Sequence, residues 1–188
     1  MAYYFRPFPL ISYDIKKNNR SAVLTNIMSR FKIVEAFQRQ EAIYYSYTVK
    51  DEERADTIAF KYYGDSSLDW VIYLTNNIID PEFDWPLSSR ALEKFIVKKY
   101  GSIVAARQQI HAYQLILNEA IVDIDGTITP ARYEPIDLTT YNTLSQSQKR
   151  IVTAYEYEVE LNDSKREIKL LSADFISQLL AQVNTVFE

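Results

Sequence analysis

The chain has 188 residues, 47% of them apolar, and a formal net charge of −4. Such a length suits one ordinary domain or a small module with elaborations, and such an apolar content argues against global disorder. The absence of cysteine excludes disulfides, zinc–thiolate sites and thiol nucleophiles, and the absence of a sustained basic stripe argues against nucleic-acid binding.

The first residues, Met1 to Leu10, contain Arg6, Pro7 and Pro9 and no apolar run, so no signal peptide is expected there. No stretch reaches the roughly 18 apolar residues of a membrane span, and a soluble chain made in a cytoplasm is expected. Residues 3–13, YYFRPFPLISY, read as an extended aromatic arm that docks either on its own body or on a neighbour. Leu24, Ile27, Met28, Phe31, Val34 and Phe37 recur at three and four, which predicts helix or helical turns across 23–43.

Residues 44–49, YYSYTV, read as a strand. Asp51 to Glu53 are explained as acids at a helix start, where the macrodipole favours negative charge. Ala55, Ile58, Ala59 and Tyr62 form the stripe of that helix, and Gly64 caps its end. Ser66 or Ser67 opens a second short helix through Trp70 and Leu74, closed by Asn76 and Asn77. Asp80 to Pro86, DPEFDWP, reads as a rigid aromatic loop. Trp70, inside a helix, is assigned to the core, whereas Trp85 suits either core or contact.

Ser88 or Ser89 opens the next helix, which Gly101 ends. Residues 103–117 fit helix or strand, with a strand favoured from Gln109 to Leu115. Residues 120–124 read as a strand and Asp125-Gly126 as its hairpin turn. Residues 130–150 look like a surface loop. Tyr155 to Leu161 alternates as YEYEVEL and predicts a half-buried strand, paired through an Asn162–Ser164 turn with Glu167 to Leu171. Phe175, Ile176, Leu179, Leu180, Val183 and Phe187 form the stripe of a final helix.

Chemistry has few candidates. His111 is the sole histidine, with no identifiable partner, and one His without Cys leaves a transition metal short of its usual ligands. Residues 122–129, VDIDGTIT, resemble the first motif of haloacid dehalogenase-like phosphatases. That resemblance implies Asp123 as nucleophile and Asp125 as acid–base beside magnesium. The family also needs a Rossmann-like core after the motif, and the rest of this chain reads as loop, hairpin and one helix. The plainer reading is a hairpin turn. Catalytic, cofactor and metal residues are therefore all expected to be none.

Residues 44–77, with Asp56-Thr57-Ile58-Ala59, Tyr62-Tyr63-Gly64 and Asn76-Asn77, resemble a LysM module: strand, helix, helix, closing strand. Ile78 and Ile79 are the local candidates for the closing strand, although Pro81 soon interrupts. LysM modules usually bind N-acetylglucosamine polymers, which implies peptidoglycan binding as an alternative function.

A longer series carries a second resemblance. Ala55 to Gly64 (ADTIAFKYYG), Asp69 to Asn77 (DWVIYLTNN), Asp80 to Ser88 (DPEFDWPLS), Lys98 to Gly101 (KKYG) and Asn162 to Leu171 (NDSKREIKLL) occur in this order, with YFRPFP near the start. Together they resemble the LysM-containing baseplate wedge proteins of T4-like contractile-tail phages, the baseplate wedge protein 53 family. The resemblance implies a non-enzymatic structural subunit that joins neighbouring wedges. Its implied partners are other wedge proteins and sheath-proximal tail proteins, in a hetero-oligomeric symmetric ring, with no nucleic acid and no membrane insertion. The implied location is the tail baseplate of the virion, assembled in the host cytoplasm.

The expected fold is α+β: an N-terminal arm and helical segment (1–43), a LysM-like centre with its following helix (44–101), a β-hairpin and linker (102–150), and a β-hairpin plus C-terminal helix (151–188). Tyr4, Phe5, Phe8, Phe83 and Trp85 are the candidate partner-binding residues, because aromatic side chains on arms and rigid loops make interface anchors.

Overall fold

The computed structural model describes residues 5, 8–17, 19–29, 33, 41–124 and 126–185. The fold is α+β, as expected, and every strand pairing among the described residues is antiparallel. The chain divides into two compact units. Unit 1 comprises Met1–Pro86 and Lys165–Glu188, and unit 2 is Leu87–Ser164.

Unit 1 is organised by two strands from distant parts of the sequence. β3 (Tyr44–Thr48) pairs with β9 (Glu167–Leu171), from Tyr44↔Leu171 to Thr48↔Glu167. The N–H of Val49 donates to Arg166 O at 2.8 Å and that of Ser172 to Ile43 O at 2.8 Å, which extends the ladder at both ends. Between the strands lie α1 (Ala55–Tyr63) and α2 (Asp69–Thr75). Gly64 ends α1 at φ +75°, the left-handed cap conformation that glycine adopts without steric cost, and its N–H donates to Phe60 O.

Ile78 and Ile79, the residues offered for a closing strand, form no strand, and the N–H of Ile78 instead donates back to Tyr73 O. Asn76 ties the end of α2 to β9. Its Nδ2 donates to Ile72 O and Lys169 O, both at 2.8 Å, and its Oδ1 accepts from Lys169 N at 2.7 Å. Ile58, Ala59, Val71, Ile72, Ile168, Leu170 and Leu171 form the core with Trp70. The last helix, α8 (Ala173–Thr185), adds Ile176 and Val183, with Phe175, Leu179 and Leu180 packed beside them. Phe187 of the expected stripe lies outside the described residues.

The acids before α1 act differently from the sequence reading. Arg54, not an acid, occupies the N-cap position. Asp51 faces Arg166 at 3.5 Å, and Glu53 pairs with Lys61 and accepts from Tyr47 Oη at 2.7 Å and Lys50 N at 3.2 Å. Burial alone would raise the Glu53 carboxyl, but these hydrogen bonds outweigh it and hold it below the usual range. Burial, with the Glu53 carboxylate beside it, pushes the Tyr47 phenol up to about 12, and burial pushes Tyr63 up to about 12. An unfolded tyrosine titrates near pH 10, so the stability these phenols give is intact below that pH and drains away as pH rises toward 12. Unit 1 should therefore lose stability across this alkaline window. Tyr47→Phe and Tyr63→Phe should each flatten the loss in denaturant unfolding measured as a function of pH.

Helical reading of 23–43 fails at its start. Leu24 lies in β2 (Ala22–Thr25), which pairs with β1 (Leu10–Tyr13). The N–H of Asn26 donates to Pro9 O at 2.8 Å and continues the pairing, and Ile27 and Met28 follow in a turn. Phe31, Val34 and Phe37 lie outside the described residues.

Unit 2 starts with α4 (Ser89–Tyr100), capped by Ser88 accepting from Ala91 N and ended by Gly101 at φ +84°. α5 (Ile103–Gln108) follows, then β4 (Ile110–Asn118), the central strand of a three-stranded sheet. Residues 130–150 are not a loop. They hold β7 (Arg132–Ile136), α6 (Leu138–Thr143) capped by Asp137, and the start of β8 (Lys149–Thr153). Pro135 is tolerated in β7 because β7 is an edge strand.

The largest correction concerns 155–161. This segment belongs to helix α7 (Ala154–Ser164), not to a strand. Its buried residues recur at four, Ala154, Glu158 and Asn162, and two of them are polar. Glu158, 4% exposed, accepts from Lys99 Nζ at 2.6 Å and Tyr100 Oη at 2.7 Å. Its hydrogen bond is the main reason that the Lys99 ammonium is held above its ordinary range. Asn162 accepts from Leu87 N at 2.7 Å and donates to Leu87 O at 3.0 Å. The aromatic residues of the alternation lie on α7's flanks: Tyr157 stacks on His111 at 3.7 Å, and Arg107 lies over the Tyr155 ring.

Candidate interaction surface

The loop from Asp80 to Pro86 is rigid for identifiable reasons. Asp80 caps the single turn of α3 (Pro81–Asp84) by accepting from Glu82 N at 3.0 Å. Asp84 Oδ2 accepts from Ile79 N at 3.2 Å and Asp80 N at 3.1 Å. Lys165 Nζ donates to Phe83 O at 2.6 Å. Trp85 turns inward: its Nε1 donates to Glu53 O at 3.1 Å and its ring meets Tyr73 edge-on, 5.7 Å between centroids. Pro86, the next residue, is buried. Phe83, by contrast, is 67% exposed. A braced loop of this kind presents an aromatic ring with little ordering entropy left to lose on binding.

The five aromatic candidates therefore separate. Phe83 and Phe5, the latter 51% exposed, offer accessible rings. Phe8 is 4% exposed, with its ring 5.3 Å from that of Phe5, and Trp85 packs against the core of unit 1. Tyr4 lies outside the described residues.

The sequence reading missed the β1–β2 hairpin. Both of its strands are exposed along their full length. Leu10, Ile11, Tyr13, Val23 and Leu24 face solvent, with Ile15, Ile27 and Met28 next to them. Each strand has one neighbour among the described residues, so each leaves an edge of backbone donors and acceptors open. A lone two-stranded hairpin is marginal in water, and apolar groups on both of its faces suit burial in a partner. LISY and AVLT are short apolar runs on either side of a polar turn, which is a hairpin signal. The three-and-four spacing that begins at Leu24 hid it.

The catalytic alternatives gain nothing from geometry. Asp123 sits in an exposed turn, where its N–H donates to Thr127 O and its carbonyl accepts from Gly126 N, both at 2.9 Å. Asp125 lies outside the described residues. The turn joins β5 (Ile121–Val122) to β6 (Ile128–Thr129), the hairpin expected from Asp-Gly, with Gly126 at φ +85°. The Rossmann-like core that such a phosphatase requires is built on a mostly parallel sheet, and the pairing here is antiparallel.

Comparison with known proteins agrees with the longer resemblance. The family model described as base plate wedge protein 53 matches residues 3–120. The chain is also 23% identical over 195 residues to a protein of Enterobacteria phage T4 named baseplate wedge protein gp53, covering 98% of this chain and 94% of that relative.

Proposed function

The chain belongs to the base plate wedge protein 53 family, and from that premise we propose that it is a structural subunit of a phage tail baseplate. In this reading it joins neighbouring wedges of a contractile tail by protein–protein contacts and catalyses nothing. Its partners are other baseplate components, and its place is the virion. The observation that carries the reading is the collinear likeness to the T4 wedge protein across nearly the whole of both chains.

Two surfaces suit the task. The β1–β2 hairpin supplies apolar side chains and open strand edges, a combination that favours strand addition to a neighbouring sheet. Phe83 supplies a pre-positioned ring, with Phe5 as a second. The strand–helix–helix frame closed by β9 serves in this reading as a LysM-like scaffold that holds Phe83, with no role in glycan binding.

The test is affinity purification of the tagged chain from phage-infected cells, with mass spectrometry of what accompanies it. Several larger tail proteins in fixed ratio are expected. A Leu10→Asp, Leu24→Asp chain should lose them while its tryptophan fluorescence stays native-like. Recovery of the chain alone, or with cell-wall fragments, would overturn the reading.

A further inference from the structure

Unit 2 carries an apolar projection that its own core does not use. Beyond Asn118 and Arg132, the ends of β4 and β7, the chain continues into β5 and β6, and Asn118 Nδ2 donates to Glu119 O and Pro130 O, both at 3.1 Å, tying the two sides. Beyond that tie Ile121, Val122, Ile124 and Ile128 are all exposed. Glu119, Asp123 and Asp125 are the only charged residues from Leu117 to Thr129. An Asp-Gly turn closes a hairpin without help from β-branched apolar neighbours, so four such side chains at a solvent-facing tip are not explained by the fold of one copy.

The same unit carries the complementary surface. α4 sets Arg90, Lys94 and Lys98 at intervals of four, which places them in one stripe, and Val97 falls beside that stripe. All four are exposed. Lys99 lies on another face of the helix, bound to Glu158, and Glu93 is the helix's one acid. Three cations in a short row are too few for a nucleic-acid footprint. They are opposite in sign to Glu119 and Asp123, the two exposed acids among the described residues of the projection.

We propose that the 119–129 projection of one copy docks on the outer face of α4 in a second copy of this chain. Ile121, Val122, Ile124 and Ile128 pack across Val97 and the alkyl stems of Arg90, Lys94 and Lys98, with Glu119 and Asp123 facing their charged heads. Two different patches meet, so the contact is heterologous: copies add head to tail and either close into a ring or run on. The inference rests on unit 2 alone, so its failure leaves the baseplate reading standing.

The test uses the full chain. Sedimentation velocity from about 5 to about 200 μM, at low and high salt, reads the association. Zero-length carbodiimide crosslinking of mixed isotope-labelled and unlabelled copies locates it. Concentration-dependent dimers and larger species are expected, weakened about tenfold or more by high salt. Mixed-isotope crosslinks should join Glu119 or Asp123 to Lys94 or Lys98. Ile124→Asp, at an exposed position, should abolish the association with the circular dichroism unchanged. Lys94→Glu should weaken it, and Asp123→Lys in the same chain should restore it. A chain that stays monomeric throughout, associates with crosslinks elsewhere, or ignores Ile124→Asp overturns the proposal.

Discussion

Ending the chain at Ser164 is expected to unfold unit 1 although its first 86 residues are all still present. The truncation removes β9, the one strand paired with β3 among the described residues. Ile168, Leu170, Leu171, Ile176 and Val183 leave the core with it. Burying a side chain of this kind is worth roughly 1.5–3 kcal/mol, so the loss is on the order of 10 kcal/mol, against about 5–15 kcal/mol for a whole domain. Asn76 would also lose its bonds to the Lys169 backbone. The two tryptophans, Trp70 and Trp85, both lie in unit 1, so tryptophan fluorescence reports on it whatever unit 2 does. A red-shifted, non-cooperative signal is expected. A native-like cooperative melt would mean that residues 1–86 close on themselves, and the topology drawn from β9 would be wrong.

The second large effect separates two aromatic neighbours. Trp85→Ala should cost about 3 kcal/mol, at the low end for removing a buried aromatic because Trp85 is only partly buried. It removes the ring against Tyr73 and leaves the Glu53 carbonyl without its Nε1 donor. Phe83→Ala, two residues away, should change stability by no more than about 0.5 kcal/mol, because its ring is exposed. Denaturant unfolding followed at Trp70 measures both. The order reverses in assembly: Phe83→Ala should weaken incorporation into tails at unchanged stability. Equal stability losses from the two substitutions would contradict the division of labour in this loop.

Local signals were readable and long-range ones were not. Gly64, Ser88, Gly101 and the Asp-Gly turn each act through their nearest neighbours, so their sequence context suffices. The β3–β9 pairing joins residues such as Thr48 and Glu167, 119 apart, and nothing local marks β9 as the partner of β3 and not of the segment just before it. α7 was missed for a different reason. Its buried stripe contains Glu158 and Asn162, so the helical period was carried by polar residues and an apolar count returned a strand. A local cue was present. Thr153 and Glu156 form a reciprocal cap, in which Glu156 accepts from Thr153 N at 2.9 Å and Thr153 Oγ1 accepts from Glu156 N at 3.2 Å.

The candidate surface was legible to a lesser extent. The sequence supplied Phe83 as an aromatic residue on a Pro-bounded loop. It could not separate Phe83 from Trp85, because what turns Trp85 inward is the Glu53 carbonyl 32 residues earlier in the chain. Nor did it reveal the hairpin from Leu10 to Thr25, whose importance comes from exposure on both faces, a property of the folded chain.

The central claim is that this chain works by burying the β1–β2 hairpin and Phe83 in a tail baseplate. Hydroxyl-radical footprinting of the purified chain and of intact tails tests it directly. Met28, 85% exposed, and Phe83 are reactive and accessible probes. Strong labelling at Leu10, Tyr13, Met28 and Phe83 is expected in the free chain, with clear protection of all four in the tail. Equal labelling in both, or tails that do not contain the chain, would contradict the account.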